Sequence, residues 1–191
     1  MDKRTFLAAG ASLAALSVLS TACTTTGGAS GDPDARRRTI NADVDNAVSR
    51  LYREAAGSQE LVARSAGMLV FPSVVSGGFI VAGSHGQGAL RKAGKTAGYY
   101  SISAASVGLT AGGQSRALFI LFMTPESLKR FEASSGWTAG VDANVTMISL
   151  GANARVNTQD VRQDVVGFAL SNAGLMADLS VNGTRINRLD L

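Results

Sequence analysis

From Gly67 to the last residue, apolar side chains come in short runs parted by glycine, serine and proline, and this rhythm limits the fold more than any other feature. Met68-Leu69-Val70-Phe71 reads as a short buried strand ended by Pro72. Residues 74–91 read as strands broken by glycine-rich turns, one of them Gly83-Ser84-His85-Gly86-Gln87-Gly88. In 97–107, Tyr100, Ile102 and Ala104 fall on one side of an alternating pattern. Residues 116–123, RALFILFM, are apolar enough for a strand buried on both faces. Val141–Leu150, Val165–Leu170, Leu175–Val181 and Ile186–Leu191 complete the strand candidates. The spacings are short for βαβ crossovers, so the sheet is predicted to be mainly antiparallel and curved. With 22 glycines and only 6% aromatics, many tight turns and close backbone approaches are expected.

Helical signals lie beside the strands. In 39–56, Ile40, Val44, Ala47, Val48, Leu51, Tyr52 and Ala55 recur at steps of three and four. Two roles fit such a helix: packing on a core, or lying on a membrane. A second short helix is predicted over 59–66, with Ser58 as its cap. Thr124-Pro125-Glu126 starts a third: a cap residue, proline in the first turn, then an acid. It should run to about Ser134. The predicted class is α+β: a curved, mainly antiparallel sheet, barrel- or sandwich-like, with two or three packed helices. Hydrophobic residues at 46% suffice for the core.

The N-terminus has another character. Lys3 and Arg4 precede the apolar stretch Phe6–Leu19, and Ser20-Thr21-Ala22 supplies small residues before Cys23. That is the layout of a secretory signal over 1–22, whose apolar stretch of 14 residues is too short to span a bilayer. Cys23, the single cysteine, directly after that site resembles the bacterial lipobox, which makes it the candidate for lipid attachment. Ser20 stands where lipoboxes usually carry leucine, and the alternative is an ordinary signal cut after Ala22. Lys3-Arg4-Thr5-Phe6-Leu7 is similar to the twin-arginine pattern with one arginine replaced, so twin-arginine and general export both stay open. Thr24, rather than Asp, follows the cysteine and points to the outer membrane. Residues 24–38 are rich in Thr, Gly and Ser and read as a flexible linker spanning roughly 20–25 Å. With Cys23, it forms a tether over 23–38, and the folded domain is placed at 39–191. Arg36-Arg37-Arg38 at its end is either a solvated run or a contact for anionic headgroups.

Charge is distributed unevenly. The chain carries a net +4, and no acid occurs between Glu60 and Glu126. That interval holds Arg64, Arg91, Lys92, Lys95 and Arg116, a candidate basic face for anionic lipid. Nucleic acid is a poor partner for an exported chain whose few aromatics do not interleave with its basic residues. Catalytic signals are sparse. One His and one Cys exclude an internal disulfide framework and a Cys/His zinc site. His85 sits among glycines in the wrong order for a dinucleotide loop, and no serine carries an elbow motif. Asp142, Asp160, Asp164 and Asp178 lack the spacing of a calcium loop and read as solvated. Trp137 reads as a packed aromatic or an interfacial anchor. No cofactor, no metal and no enzymatic activity are expected.

Several segments carry a family resemblance when taken in order. They are 63–72 (ARSAGMLVFP), Gly77 to Gly83, Gly86 to Leu90, Tyr99-Tyr100-Ser101, Ser106 to Gln114, Leu118 to Thr124, Val141 to Asn144, and Gly174 to Leu179. Across about 47–191 this order resembles the SYLF domain family, also called DUF500. The family often has Trp-Ser where this chain has Gly98-Tyr99-Tyr100-Ser101. The resemblance implies a lipid-binding domain without catalysis; eukaryotic members bind phosphoinositides, and some bind actin. For an exported chain it implies affinity for anionic membrane lipid. The combined expectation is a lipid-anchored protein of the cell envelope, at the outer membrane facing the periplasm. The alternative is an envelope protein that binds another protein or a cell-wall polymer.

Overall fold

The computed structural model describes residues 32–78, 81–107, 114–148, 163–171, 174–175 and 180–191. The predicted signal, Cys23 and the linker as far as 31 lie outside the described residues. Gly31–Leu191 forms one compact unit.

The first helix, α1 (Pro33–Glu54), begins inside the predicted linker. The Asp32 side chain accepts from the Asp34 N–H, Pro33 occupies the first turn, and Asp34 adds negative charge there. Those are helix-start features, and they move the boundary back from 39, so Arg36, Arg37 and Arg38 are helical. The expected apolar stripe is the buried one: Ile40, Val44, Ala47 and Leu51. Helix α2 spans Ser58–Arg64 after Gly57 turns the chain at φ 89°. Helix α3, Pro125–Ala133, is capped by the Thr124 hydroxyl accepting from the Ser127 N–H at 3.2 Å.

The strands are β1 (Gly67–Gly78), β2 (Val81–Lys92), β3 (Lys95–Val107), β4 (Gln114–Phe122), β5 (Trp137–Thr138), β6 (Thr146–Met147), β7 (Val165–Ser171), β8 (Gly174–Leu175) and β9 (Arg185–Leu189). Among the described residues they make one curled sheet in the order β5-β9-β3-β2-β1-β4-β7-β6, with β8 on β7. Every pairing is antiparallel except β6 with β7. The α+β expectation therefore holds.

Two cores lie on the two faces of this sheet. Leu69, Phe71, Leu118, Ile120 and Phe122 join Leu128 and Phe131 of α3 on one face. Met68, Val70, Ala117, Phe119 and Leu121 meet Ile40, Val44, Leu51 and Leu61 of α1 and α2 on the other. The central strand β4 is thus covered on both sides, as its apolar run requires. Trp137 packs edge-on against Phe122 and Phe131, with ring centroids 6.3 and 5.8 Å away.

Three strand expectations need correction. Pro72 does not end β1. The register jumps from Val70↔Ala89 to Ser73↔Gln87, and from Phe71↔Leu118 to Val74↔Arg116, so Pro72 sits in a β-bulge where its missing N–H is tolerated. Residues 83–88 are not a turn but the middle of β2, and His85 is an exposed strand residue opposite Val75 and Ser103. Val141 to Asp142 form a turn, because the Asp142 carboxylate accepts the Thr138 N–H at 2.6 Å and Gly140 adopts φ 84°. Only Thr146–Met147 of that stretch pairs as a strand among the described residues. The strand predicted to Val181 falls mostly on residues outside the described ones.

A candidate anionic-ligand site at the β2–β3 end of the sheet

A two-residue turn joins β2 to β3. Lys92 and Lys95 are register partners, while Ala93 (φ 48°) and Gly94 (φ 77°) both take left-handed backbone. That is the requirement of a tight type I′ hairpin, whose handedness matches the sheet twist. Gly94 suits its position, whereas Ala93 carries a side chain where L residues are strained. Ala93→Gly is therefore expected to raise stability by about 0.5–1 kcal/mol, the relief of strain exceeding the added chain entropy. Urea unfolding with an unchanged m-value would register it.

The fold gathers four of the five candidate basic residues at this end. Arg64 closes α2, and the chain enters β1 three residues later at Gly67. Arg91 pairs with Met68 in the next register position. Lys92 and Lys95 flank the turn. Arg116 is not part of the group. It pairs with Val74, six residues along β1 from Met68, roughly 20 Å away at ~3.3 Å per residue. Burial without an ion pair among the described residues pulls the Arg116 guanidinium below its ordinary pKa.

The charge at this end is smaller than the acid-free interval suggests. Arg91 Nη2 donates to Asp45 Oδ1 of α1 at 2.5 Å and to the Asn41 carbonyl at 3.3 Å. Lys92 Nζ donates to both carboxylate oxygens of Glu132 on α3, at 3.0 and 3.1 Å. Arg64 and Lys95 have no acidic partner among the described residues. Lys129, absent from the sequence-predicted set, is exposed on α3 beside Leu128, whose side chain lies over Gly67. Cations thus arrive at this end of the sheet from α2, β2 and β3.

Next to this cluster is a cleft of about 580 Å³ between α1, α2 and the hairpin. Val48, Val62, Ala66 and Met68 line it together with Asp45, Ser65 and Arg91. Tyr52 also lines it, and burial pushes its phenol above the ordinary pKa. Across α1 a second groove, about 780 Å³, runs past Arg36, Asp43, Arg50, Arg53 and Gln87. Two of its three arginines are engaged: Arg36 donates to Gln87, and Arg50 donates to Glu54 and to the Ser171 carbonyl.

The remaining chemical candidates stay apart. His85 lies in β2, and its side chain makes no hydrogen bond to a described residue. Asp142 serves its turn, Asp164 pairs with Arg130 at 3.5 Å, and Asp160 and Asp178 lie outside the described residues. Among the described residues no cluster of His, Cys, Asp and Glu could hold a metal ion.

Comparison with known proteins found no matching curated protein. A family model did match: Ysc84, described as Las17-binding protein actin regulator, over residues 103–190. The match begins within β3 and runs through β9, taking in Arg116 and α3 but not Arg64, Arg91, Lys92 or Lys95. It bears on the second half of the resemblance read from the sequence, while β1 and β2 pair continuously with that half in one sheet. Over residues 103–190 the chain is similar to the SYLF, or Ysc84, family, consistent with a SYLF domain.

Proposed function

We propose that this chain is an exported envelope lipoprotein, acylated at Cys23, whose SYLF-family domain binds anionic membrane lipid and catalyses nothing. The observation that carries the reading is the convergence of Arg64, Arg91, Lys92 and Lys95 on one end of the sheet. Two of these four are held by Asp45 and Glu132, and Arg64 and Lys95 are left to face external anions. The signal layout and the cysteine support placement at the outer membrane, facing the periplasm. With α1 starting at Pro33, a tether over 23–32 would span roughly 15–20 Å and keep the domain near headgroups, so individually weak contacts would act at high local concentration. Helix α1 has no part in this reading, because its apolar stripe is buried in the core.

Co-sedimentation with vesicles across a salt series tests it. Binding to phosphatidylglycerol-containing vesicles, weakening as salt rises, is the expected result, with none to purely phosphatidylcholine vesicles. Equal partition onto both would remove the electrostatic reading. A second reading, a protein-binding envelope module, draws on the family description, which names binding to Las17. A single partner captured by crosslinking in cells, together with absence of vesicle binding, would favour that alternative.

A further inference from the structure

The groove along α1 differs from the cleft at the hairpin in being long. Arg36, Ile40, Asp43, Ala47, Arg50 and Arg53 line it, about one residue for each turn of the helix. From Arg36 to Arg53 the helix rises about 25 Å. A volume of about 780 Å³ over that length leaves a cross-section of roughly 30 Å². One extended chain can lie in such a trench, whereas a helix ~10 Å across cannot. Ser73 of β1 and Ala117 of β4 line it from the sheet, and their small side chains leave it open.

The charges sit in an order. Arg36 and Arg53 mark the two ends, are both exposed, and have no acidic partner among the described residues. Arg36 donates to Gln87, a neutral amide, so its charge is not cancelled. The acids nearest to it in the chain, Asp34 and Asp32, are already paired with Arg37 and Arg38. Arg50 is neutralised by Glu54. Asp43 lies between the ends, about 10 Å along the axis from Arg36 and ~15 Å from Arg53, and makes no ion pair among the described residues. The trench therefore runs positive, negative, positive. A single headgroup can meet only one of these charges. Beyond Ser73 the same side of β1 exposes Val75, because Val74 between them is buried in the opposite core. Val75, at 56% exposed, offers an apolar contact next to the trench.

We propose that this trench binds an extended acidic segment of a partner protein. At ~3.3 Å per residue, about eight residues cover its length. Complementarity asks for acidic side chains at both ends of the segment and a basic one opposite Asp43. Exposed ion pairs are individually weak, so the complex should be salt-sensitive and should depend on several charges acting together. The proposal is independent of the headgroup reading and gives the domain a second surface, away from the β2–β3 end.

The test titrates the full chain against a fluorescein-labelled nonapeptide with two glutamates at each end, one lysine in the middle, and serine and alanine between. Saturable one-to-one binding by fluorescence anisotropy, weakening as salt rises, is expected. The same residues with the glutamates gathered in the middle and the lysine at one end should bind about tenfold less well. Arg36→Gln/Arg53→Gln should weaken binding of the first peptide about tenfold. Asn46→Trp should do the same by filling the trench from an exposed position on α1. Arg64→Gln/Lys95→Gln should leave peptide binding unchanged. No saturable binding overturns the proposal, as does equal binding of the two peptides or unchanged binding in both trench variants. A loss confined to Arg64→Gln/Lys95→Gln also overturns it, since the peptide would then sit at the β2–β3 end. Loss of vesicle binding in Arg36→Gln/Arg53→Gln, without saturable peptide binding, overturns it by making the trench a lipid surface. Trench-dependent peptide binding without vesicle binding supports it and removes the headgroup reading alone.

Discussion

Gly88→Ala is expected to destabilise the fold by more than about 3 kcal/mol, the upper range of overpacking costs, because the new atom meets backbone. A Cβ at position 88 would stand 1.9 Å from the Val70 carbonyl oxygen and 2.8 Å from Phe71 Cδ1. Neither neighbour can retreat. Val70 and Phe71 are fully buried, β1 is hydrogen-bonded to β2 on one side and β4 on the other, and both faces of this part of the sheet are covered. The crowding arises from the bulge. Phe71 and Pro72 together face Gly88 across the ladder, and the extra residue pushes backbone toward β2. Gly86 is in a milder version of the same position, with a Cβ 2.7 Å from the Ser73 carbonyl. Gly77 and Gly83 supply the control, since nothing lies within 4 Å of a Cβ at either. In thermal melts followed by circular dichroism, Gly88→Ala should lower the midpoint by roughly 10 °C or more, or lose the cooperative transition. Gly77→Ala and Gly83→Ala should stay within about 2 °C of the parent, the ordinary range for a surface change. A Gly88→Ala midpoint that also stayed there would mean that β1 and β2 do not approach as described.

The same bulge marks the boundary between what the sequence discloses and what it conceals. Strand β4 is legible because an unbroken apolar run of its length has few other uses. The stripe from Ile40 to Leu51 and the Thr124 cap are legible because each rests on interactions within one turn or a few. Pro72 and the glycines of 83–88 are misleading for the opposite reason. Proline and glycine are ordinary signs of turns, and in β1 and β2 they are answers to each other. A bulge places proline where no donor is required, and glycine opposite makes room for it. Neither half of that fit is visible without the pairing. The start of α1 was legible in Asp32-Pro33-Asp34, but the Thr, Gly and Ser residues before it and the absence of apolar periodicity before Ile40 made the whole stretch read as linker. The candidate site shows the same division. Sequence proximity correctly brought Arg91, Lys92 and Lys95 together, because one hairpin carries them. It also suggested a field of five unopposed charges. Chain folding delivers Asp45 from α1 and Glu132 from α3 to the very residues that the interval left without acids. It also sends Arg116 toward the far end of β1.

That rearrangement gives the charge prediction its form. If all five cations made one basic face, neutralising any of them would weaken binding to anionic vesicles alike. With Arg91 and Lys92 largely spent on their carboxylates and Arg116 remote, Arg64 and Lys95 should carry most of the long-range attraction. A cation near an anionic membrane surface contributes ~1 kcal/mol, so the double variant Arg64→Gln/Lys95→Gln should bind phosphatidylglycerol vesicles about thirtyfold more weakly. Its salt dependence should flatten in parallel, since fewer screened contacts remain. Both side chains are exposed, so the variant should melt with the parent and the loss should belong to binding. Arg116→Gln should change vesicle affinity by less than about threefold, below the ~1 kcal/mol of a full surface contact. Glu132→Gln should act in the other direction by releasing Lys92 to the membrane, strengthening binding at low salt. A loss in Arg116→Gln as large as in the double variant would restore the undivided basic face and remove the β2–β3 end as the site. If vesicle binding is unaffected by every one of these substitutions, headgroup charge is not what the domain reads.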